Sequence, residues 1–320
     1  LTAEDAPYCK HDDDSNERFS YHGPIVKPDA SCYELVTHAY AHAKLGKQGA
    51  ELAEGAFRRY EQNNQPGQYA SRYIMKEVLK AVVGAQEFQK AIDLLQLMED
   101  RFQETKDVEL APDSRMYNVV TSGLANINVK DKKYAAVTSR QILNNMRSIF
   151  ISGDNPLAMP NRYTYTHFMQ CEAKVGKGHG TFQRLEDLYR QLEADYSSMD
   201  RFDVLKPDAL SALPLFQVAV NSKSNTYVIH RAFDVFDELQ QRYLNIGDPA
   251  YAPVEKMYKY LYTSVGRLRH GQAVEFNDRV NQCIDLMKQN FLDASIYTIT
   301  TGTLVQYFLF ISFGITKHGY

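Results

Sequence analysis

A chain of 320 residues, 44% hydrophobic and 23% charged, is too long and too evenly mixed to be a small stapled fold or a wholly disordered chain. Its 36 basic and 39 acidic side chains leave a net charge of -3, which excludes a protein that coats nucleic acid through charge alone. The four cysteines, at positions 9, 32, 171 and 283, form no Cys-x-x-Cys pair and no Asn-x-Ser/Thr acceptor occurs, so neither a disulfide framework nor a secretory history is indicated.

The first element in chain order is residues 1–23. Six acids (Glu4, Asp5, Asp12, Asp13, Asp14, Glu17) against Lys10 and Arg18 make it an acidic segment expected to be disordered, and they leave the rest of the chain nearly neutral. The chain opens on Leu1 and lacks the basic start and apolar core of a secretory signal, as a fragment or processed product would.

A repeat organises residues 24–291. Pro28, Pro112, Pro160, Pro207 and Pro253 each stand five residues before the residue that opens an apolar helical stretch, namely Tyr33, Tyr117, Tyr165, Ala212 and Tyr258; a further stretch opens at Tyr73 without a proline. A second column follows in each case, with apolar or small residues at x, x+4 and x+7 on one helix face. Its members are Ala53, Phe57, Tyr60; Ala91, Leu95, Met98; Ser139, Leu143, Met146; Leu185, Tyr189, Leu192; Ala232, Phe236, Leu239; and Val280, Ile284, Met287. Two columns in step predict an all-α chain of about six helix–turn–helix units, each completing its core against its neighbours in a superhelical α-solenoid. The openings recur every 40 to 48 residues, and residues 104–110, 152–159 and 197–205 hold the excess, either as longer second helices or as loops.

Three segments invite a chemical reading. His38 and His42 stand at i and i+4 on one helix face, but no following Glu and no evident third ligand accompany them, so an ordinary half-exposed pair is expected and no metal. Gly176-Lys177-Gly178-His179-Gly180 has the glycines of a phosphate cradle, yet it follows a helical stretch rather than a strand and reads as an interhelical turn. Residues 294–316 carry no formal charge and are long enough to cross a bilayer, but they are rich in Thr and Ser and read as an apolar cap on the last repeat or a non-native tail, with a membrane partner not expected. Cys171 and Cys283 fall in apolar helical stretches and read as small hydrophobes.

The phrases Lys27-Pro28-Asp29-Ala30-Ser31-Cys32-Tyr33, Ala111-Pro112-Asp113-Ser114-Arg115-Met116-Tyr117-Asn118 and Met159-Pro160-Asn161-Arg162-Tyr163-Thr164-Tyr165-Thr166, with the second-helix run Ala91-Ile92-Asp93-Leu94-Leu95-Gln96-Leu97-Met98, resemble the pentatricopeptide repeat family. The resemblance implies a right-handed solenoid that binds single-stranded RNA one base per repeat, acting in RNA processing, stability or translation in a mitochondrion or plastid. It implies base reading by the residue after each opening position, here Glu34, Ile74, Asn118, Thr166, Leu213 and Lys259. Of these only Asn118 and Thr166 have suitable groups. Asn118 would work with Asn161 on a pyrimidine, and Thr166 with Asp208 on guanine. Phosphate contacts are implied nine residues after each opening, at His42, Val82, Asn126, Lys174, Asn221 and Arg267, of which Lys174 and Arg267 are firm cations. The zinc deaminase that some family members carry needs His-x-Glu and Cys-x-x-Cys, which do not occur, so no catalysis and no cofactor are expected. The competing expectation is a helical-repeat scaffold for a protein partner, favoured by the neutral body and by Glu34, Ile74 and Leu213.

Overall fold

The computed structural model describes residues 28–64, 67–127, 131–198, 203–223 and 225–291, and all regular structure among them is helical. The acidic segment 1–23 and the apolar stretch 294–316 lie outside the described residues. The chain divides into two compact units, residues 1–123 and 124–320. In the first, α1 (Ala30–His42) and α2 (Lys47–Asn63) form one hairpin and α3 (Arg72–Gly84) and α4 (Phe88–Thr105) the next; α5 (Ser114–Asn126) crosses the boundary, its last turn belonging to the second unit. The second unit holds α6 (Lys132–Ile151), α7 (Arg162–Val175), α8 (His179–Ser198), α9 (Ala209–Asn221), α10 (Thr226–Ile246), α11 (Glu255–Val265), the single turn α12 (His270–Ala273) and α13 (Asn277–Phe291).

Local chemistry places the helix starts. Asp29, Asn161 and Asp208 cap α1, α7 and α9 by accepting from backbone N–H groups of the first turn, and Asp113 does the same for α5 through Arg115 and Met116. Each cap is worth about 1 kcal/mol and each follows a proline, which stands just outside the helix where it blocks continuation of the preceding element. Asn161 and Thr164 form a reciprocal capping box. At the other end, Gly247 takes φ 70° to close α10 in the left-handed conformation.

The excess repeat length is divided between longer second helices and short connectors. In the second unit α8 and α10 run 20 and 21 residues, against 14 and 13 for α7 and α9. Single 3-10 turns at Pro156–Ala158, Asp203–Leu205 and Pro249–Tyr251 then lead into α7, α9 and α11.

Within each unit a first helix packs on its own second helix and on the next first helix: α1 on α2 and α3, α7 on α8 and α9, α9 on α10 and α11. The stripe of the second helices faces inward as periodicity predicts. All eighteen of its members are buried except Tyr60, which is half-buried. Burial of each large member contributes about 1.5–3 kcal/mol. Buried Ser139 is satisfied by donating to the Ala136 carbonyl at 3.1 Å.

One position departs from expectation. Tyr73 is 64% exposed and Ile74 is fully buried. Ser71 caps α3, so the residue four beyond the cap, equivalent to Tyr33, Tyr117 and Tyr165, is the buried Met75. Ile74 is therefore a core residue, and Lys76 takes the place expected for it. The cause is local: with no proline ahead of α3, the Ser71 cap alone sets where the helix begins.

Ion pairs between second helices recur at equivalent positions in both units. Lys90 on α4 meets Glu54 on α2 at 3.3 Å, as Arg231 on α10 meets Glu186 on α8. Arg101 meets Glu61 at 2.6 Å, as Arg242 meets Glu193. Such part-exposed pairs contribute about 0–1 kcal/mol each, so they set the register of neighbouring hairpins more than they stabilise them.

Candidate functional site

The six residues singled out in sequence occupy three kinds of place. Asn118 and Thr166 lie half-buried on α5 and α7, one residue after the buried Tyr117 and Tyr165. Thr166 Oγ1 donates to the Arg162 carbonyl at 2.6 Å, which leaves its lone pairs available.

Asn161 and Asp208 are helix caps. Asn161, 7% exposed, accepts at Oδ1 from the N–H groups of Tyr163 (3.0 Å) and Thr164 (3.2 Å). Asp208 accepts at Oδ1 from the Ser211 N–H at 2.7 Å and hydroxyl at 2.5 Å, while its Oδ2 lies 3.8 Å from Arg162 Nη1. In the first unit the equivalent cap, Ser71, donates its hydroxyl to Glu34 Oε1 at 2.9 Å. Glu34, the residue after the opening Tyr33, thus lies against the cap of the next first helix, the juxtaposition that a two-residue base reader requires.

Lys174 and Arg267 form a structural series with Asn221. Lys174 Nζ donates to the Ala125 carbonyl, Asn221 Nδ2 to the Ala173 carbonyl at 3.0 Å, and Arg267 Nη1 to the Val220 carbonyl at 2.6 Å. Each acceptor is in the last turn of the preceding first helix, where carbonyls lack intrahelical partners and the helix dipole is negative. The implied phosphate ligands therefore hold consecutive helices together. Lysine and arginine retain further donors beyond the one bond. Val82, the position implied in α3, is buried in the core, and with the opening at Met75 the corresponding place is Gly84, which has no side chain to donate.

Aromatic side chains flank these positions. Tyr163, 52% exposed, stands three residues before Thr166 and so on the same helix face, with the Arg162 guanidinium 5.0 Å from its ring. Tyr73 stands in the same relation to Lys76, whose Nζ lies 5.1 Å from the ring.

The glycine-rich segment is the turn between α7 and α8: Gly176 ends α7, Gly178 takes φ 78° and its N–H donates to Ser222 Oγ at 2.7 Å. Cys171 and Cys283 are buried, and burial pushes their thiols up to about 11 and about 12, so both stay protonated and inert at neutral pH. Among the described residues no helix is long and apolar enough to cross a membrane. The sequence reading missed Glu77, which lies on α3 against both His38 and His42 of α1. No protein-family model matches the chain, and no curated protein and no solved structure matches it either.

Proposed function

We propose that the chain is a non-catalytic helical-repeat protein, a right-handed α-solenoid of about six hairpins, that binds single-stranded RNA along its first helices. The observation that carries the reading is the pairing of the residue after an opening tyrosine with the cap of the next first helix, seen directly at Glu34 and Ser71. Thr166 and Asp208 hold the equivalent positions in the second unit and present a hydroxyl and a carboxylate suited to a base edge. Tyr163 adds an exposed ring on the face of Thr166, and stacking on such a ring is worth about 1–3 kcal/mol per base. The resemblance to pentatricopeptide repeats supplies the setting, transcript processing, stability or translation in a mitochondrion or plastid.

The test is fluorescence anisotropy with single-stranded RNA across a salt series. Binding at low salt that weakens with salt is expected, together with loss of base preference in Thr166→Ala and in Asn118→Ala. No binding at low salt, or an unchanged preference in both variants, overturns the reading. One observation favours a protein-binding scaffold instead: Lys174 and Arg267, the cations of the phosphate column, are engaged with helix-end carbonyls. A stoichiometric protein partner that survives nuclease treatment would support that alternative.

A further inference from the structure

The first unit brings two imidazoles and a carboxylate to one point. His38 and His42 stand one turn apart on α1, with ring centroids 4.3 Å from each other and both side chains more than half exposed. Glu77 comes from α3, the next first helix, and its side chain is only 9% exposed. His38 Nδ1 lies 3.2 Å from Glu77 Oε2 and His42 Nε2 lies 3.7 Å from the same oxygen, and the three ligand atoms all fall within 4.8 Å of one another.

The two edges that meet at Glu77 Oε2 fit those of a small tetrahedral site. Bonds of about 2.0–2.1 Å to nitrogen and oxygen place neighbouring ligand atoms about 3.3 Å apart, and the edges of 3.2 and 3.7 Å bracket that value. Hydrogen bonding alone does not account for the trio: the 3.7 Å separation is too long for a hydrogen bond, so His42 faces the carboxylate without one. The other oxygen, Glu77 Oε1, accepts from Lys80 Nζ at 2.8 Å with Lys76 Nζ at 3.8 Å, which turns Oε2 toward the histidines. An outer partner of this kind orients a ligand and tunes its basicity.

We propose that His38, His42 and Glu77 form a mononuclear site for a divalent transition metal of the zinc class, with water completing the tetrahedron on the exposed side. Two imidazoles select such an ion over magnesium and calcium, which prefer oxygen alone. The bound ion would tie α1 to α3, the first helices of consecutive hairpins, and stabilise the first unit by mass action.

The test uses the full chain, freed of metal by a chelator. Zinc is titrated calorimetrically, and cobalt is added separately as a spectroscopic probe. The native chain is expected to bind one more equivalent of zinc than the double variant His38→Ala/His42→Ala, and to show tetrahedral cobalt absorption that the double variant lacks. Glu77→Gln is expected to weaken zinc at least ~10- to 100-fold, the range seen when only an outer partner is lost. Equal zinc stoichiometry and equal cobalt spectra in native chain and double variant overturn the proposal. Circular dichroism confirms that each variant remains helical, and His42→Gln, on the exposed side, carries the same comparison where the double variant does not.

Discussion

Asn221 donates its side-chain amide to the Ala173 carbonyl at 3.0 Å, joining the end of α9 to the end of α7 across 48 residues of sequence. Lys174 and Arg267 repeat the bond with Ala125 and Val220. This series separates two roles for one column. Replacing Lys174 or Arg267 by Met, or Asn221 by Ala, is expected to cost about 0.5–1.5 kcal/mol in urea unfolding, the usual worth of one such bond. On the RNA reading the two Met variants also lower the slope of log affinity against log salt by about 0.7 each, while Asn221→Ala leaves it unchanged. Equal slopes in all three variants would assign the column to structure alone.

Asp208 caps α9 and is also a candidate base reader, and one substitution divides these duties. Asn caps as well as Asp. Asp208→Asn is therefore expected to leave the thermal midpoint unchanged while altering base preference, because an acceptor-only group becomes donor and acceptor. Asp208→Ala should lower stability by about 1 kcal/mol, read from the same melts.

Two glycines are held by close approach. A Cβ at Gly123 would lie 2.3 Å from Val83 Cγ1 and 2.9 Å from Phe88 Cε1, and one at Gly176 would lie 2.2 Å from Thr181 Cγ2. Alanine gains about 1 kcal/mol of helix propensity at Gly123, but relieving the overlap with a buried ring costs about 1–3 kcal/mol, so the collision wins. Both Gly123→Ala and Gly176→Ala are expected to lower the urea midpoint.

His167, half-buried on α7, is held by burial below its ordinary imidazole value. The folded state therefore prefers the neutral ring, and the unfolded chain takes up its proton first as pH falls through about 6.5. The associated stability is present above that pH and is lost progressively on acidification toward the folded value, by up to about 1.4 kcal/mol per pH unit. His167→Asn should flatten this part of the profile in urea unfolding between pH 7.5 and 5.5. An unchanged slope would assign the loss to carboxylates.

Local chemistry was legible where it acts within a turn or two. The Pro-Asp and Pro-Asn phrases announced helix starts because the cap and the blocking proline are neighbours in sequence, and Asp29, Asp113, Asn161 and Asp208 all cap. The start of α3 was misplaced by two residues because Ser71 has no proline to mark it. Glu77 was invisible as a companion to the histidines, since it stands 39 residues from His38 and resembles any other helical glutamate.

Caps and the 3.6-residue period act over a few residues, so the helical class, the starts of the proline-marked first helices and the buried stripe of each second helix were legible in sequence. What the column nine residues after each opening touches is set by tertiary packing. Lys174, Asn221 and Arg267 meet carbonyls 47 to 49 residues upstream, a relation that exists only once consecutive first helices lie side by side.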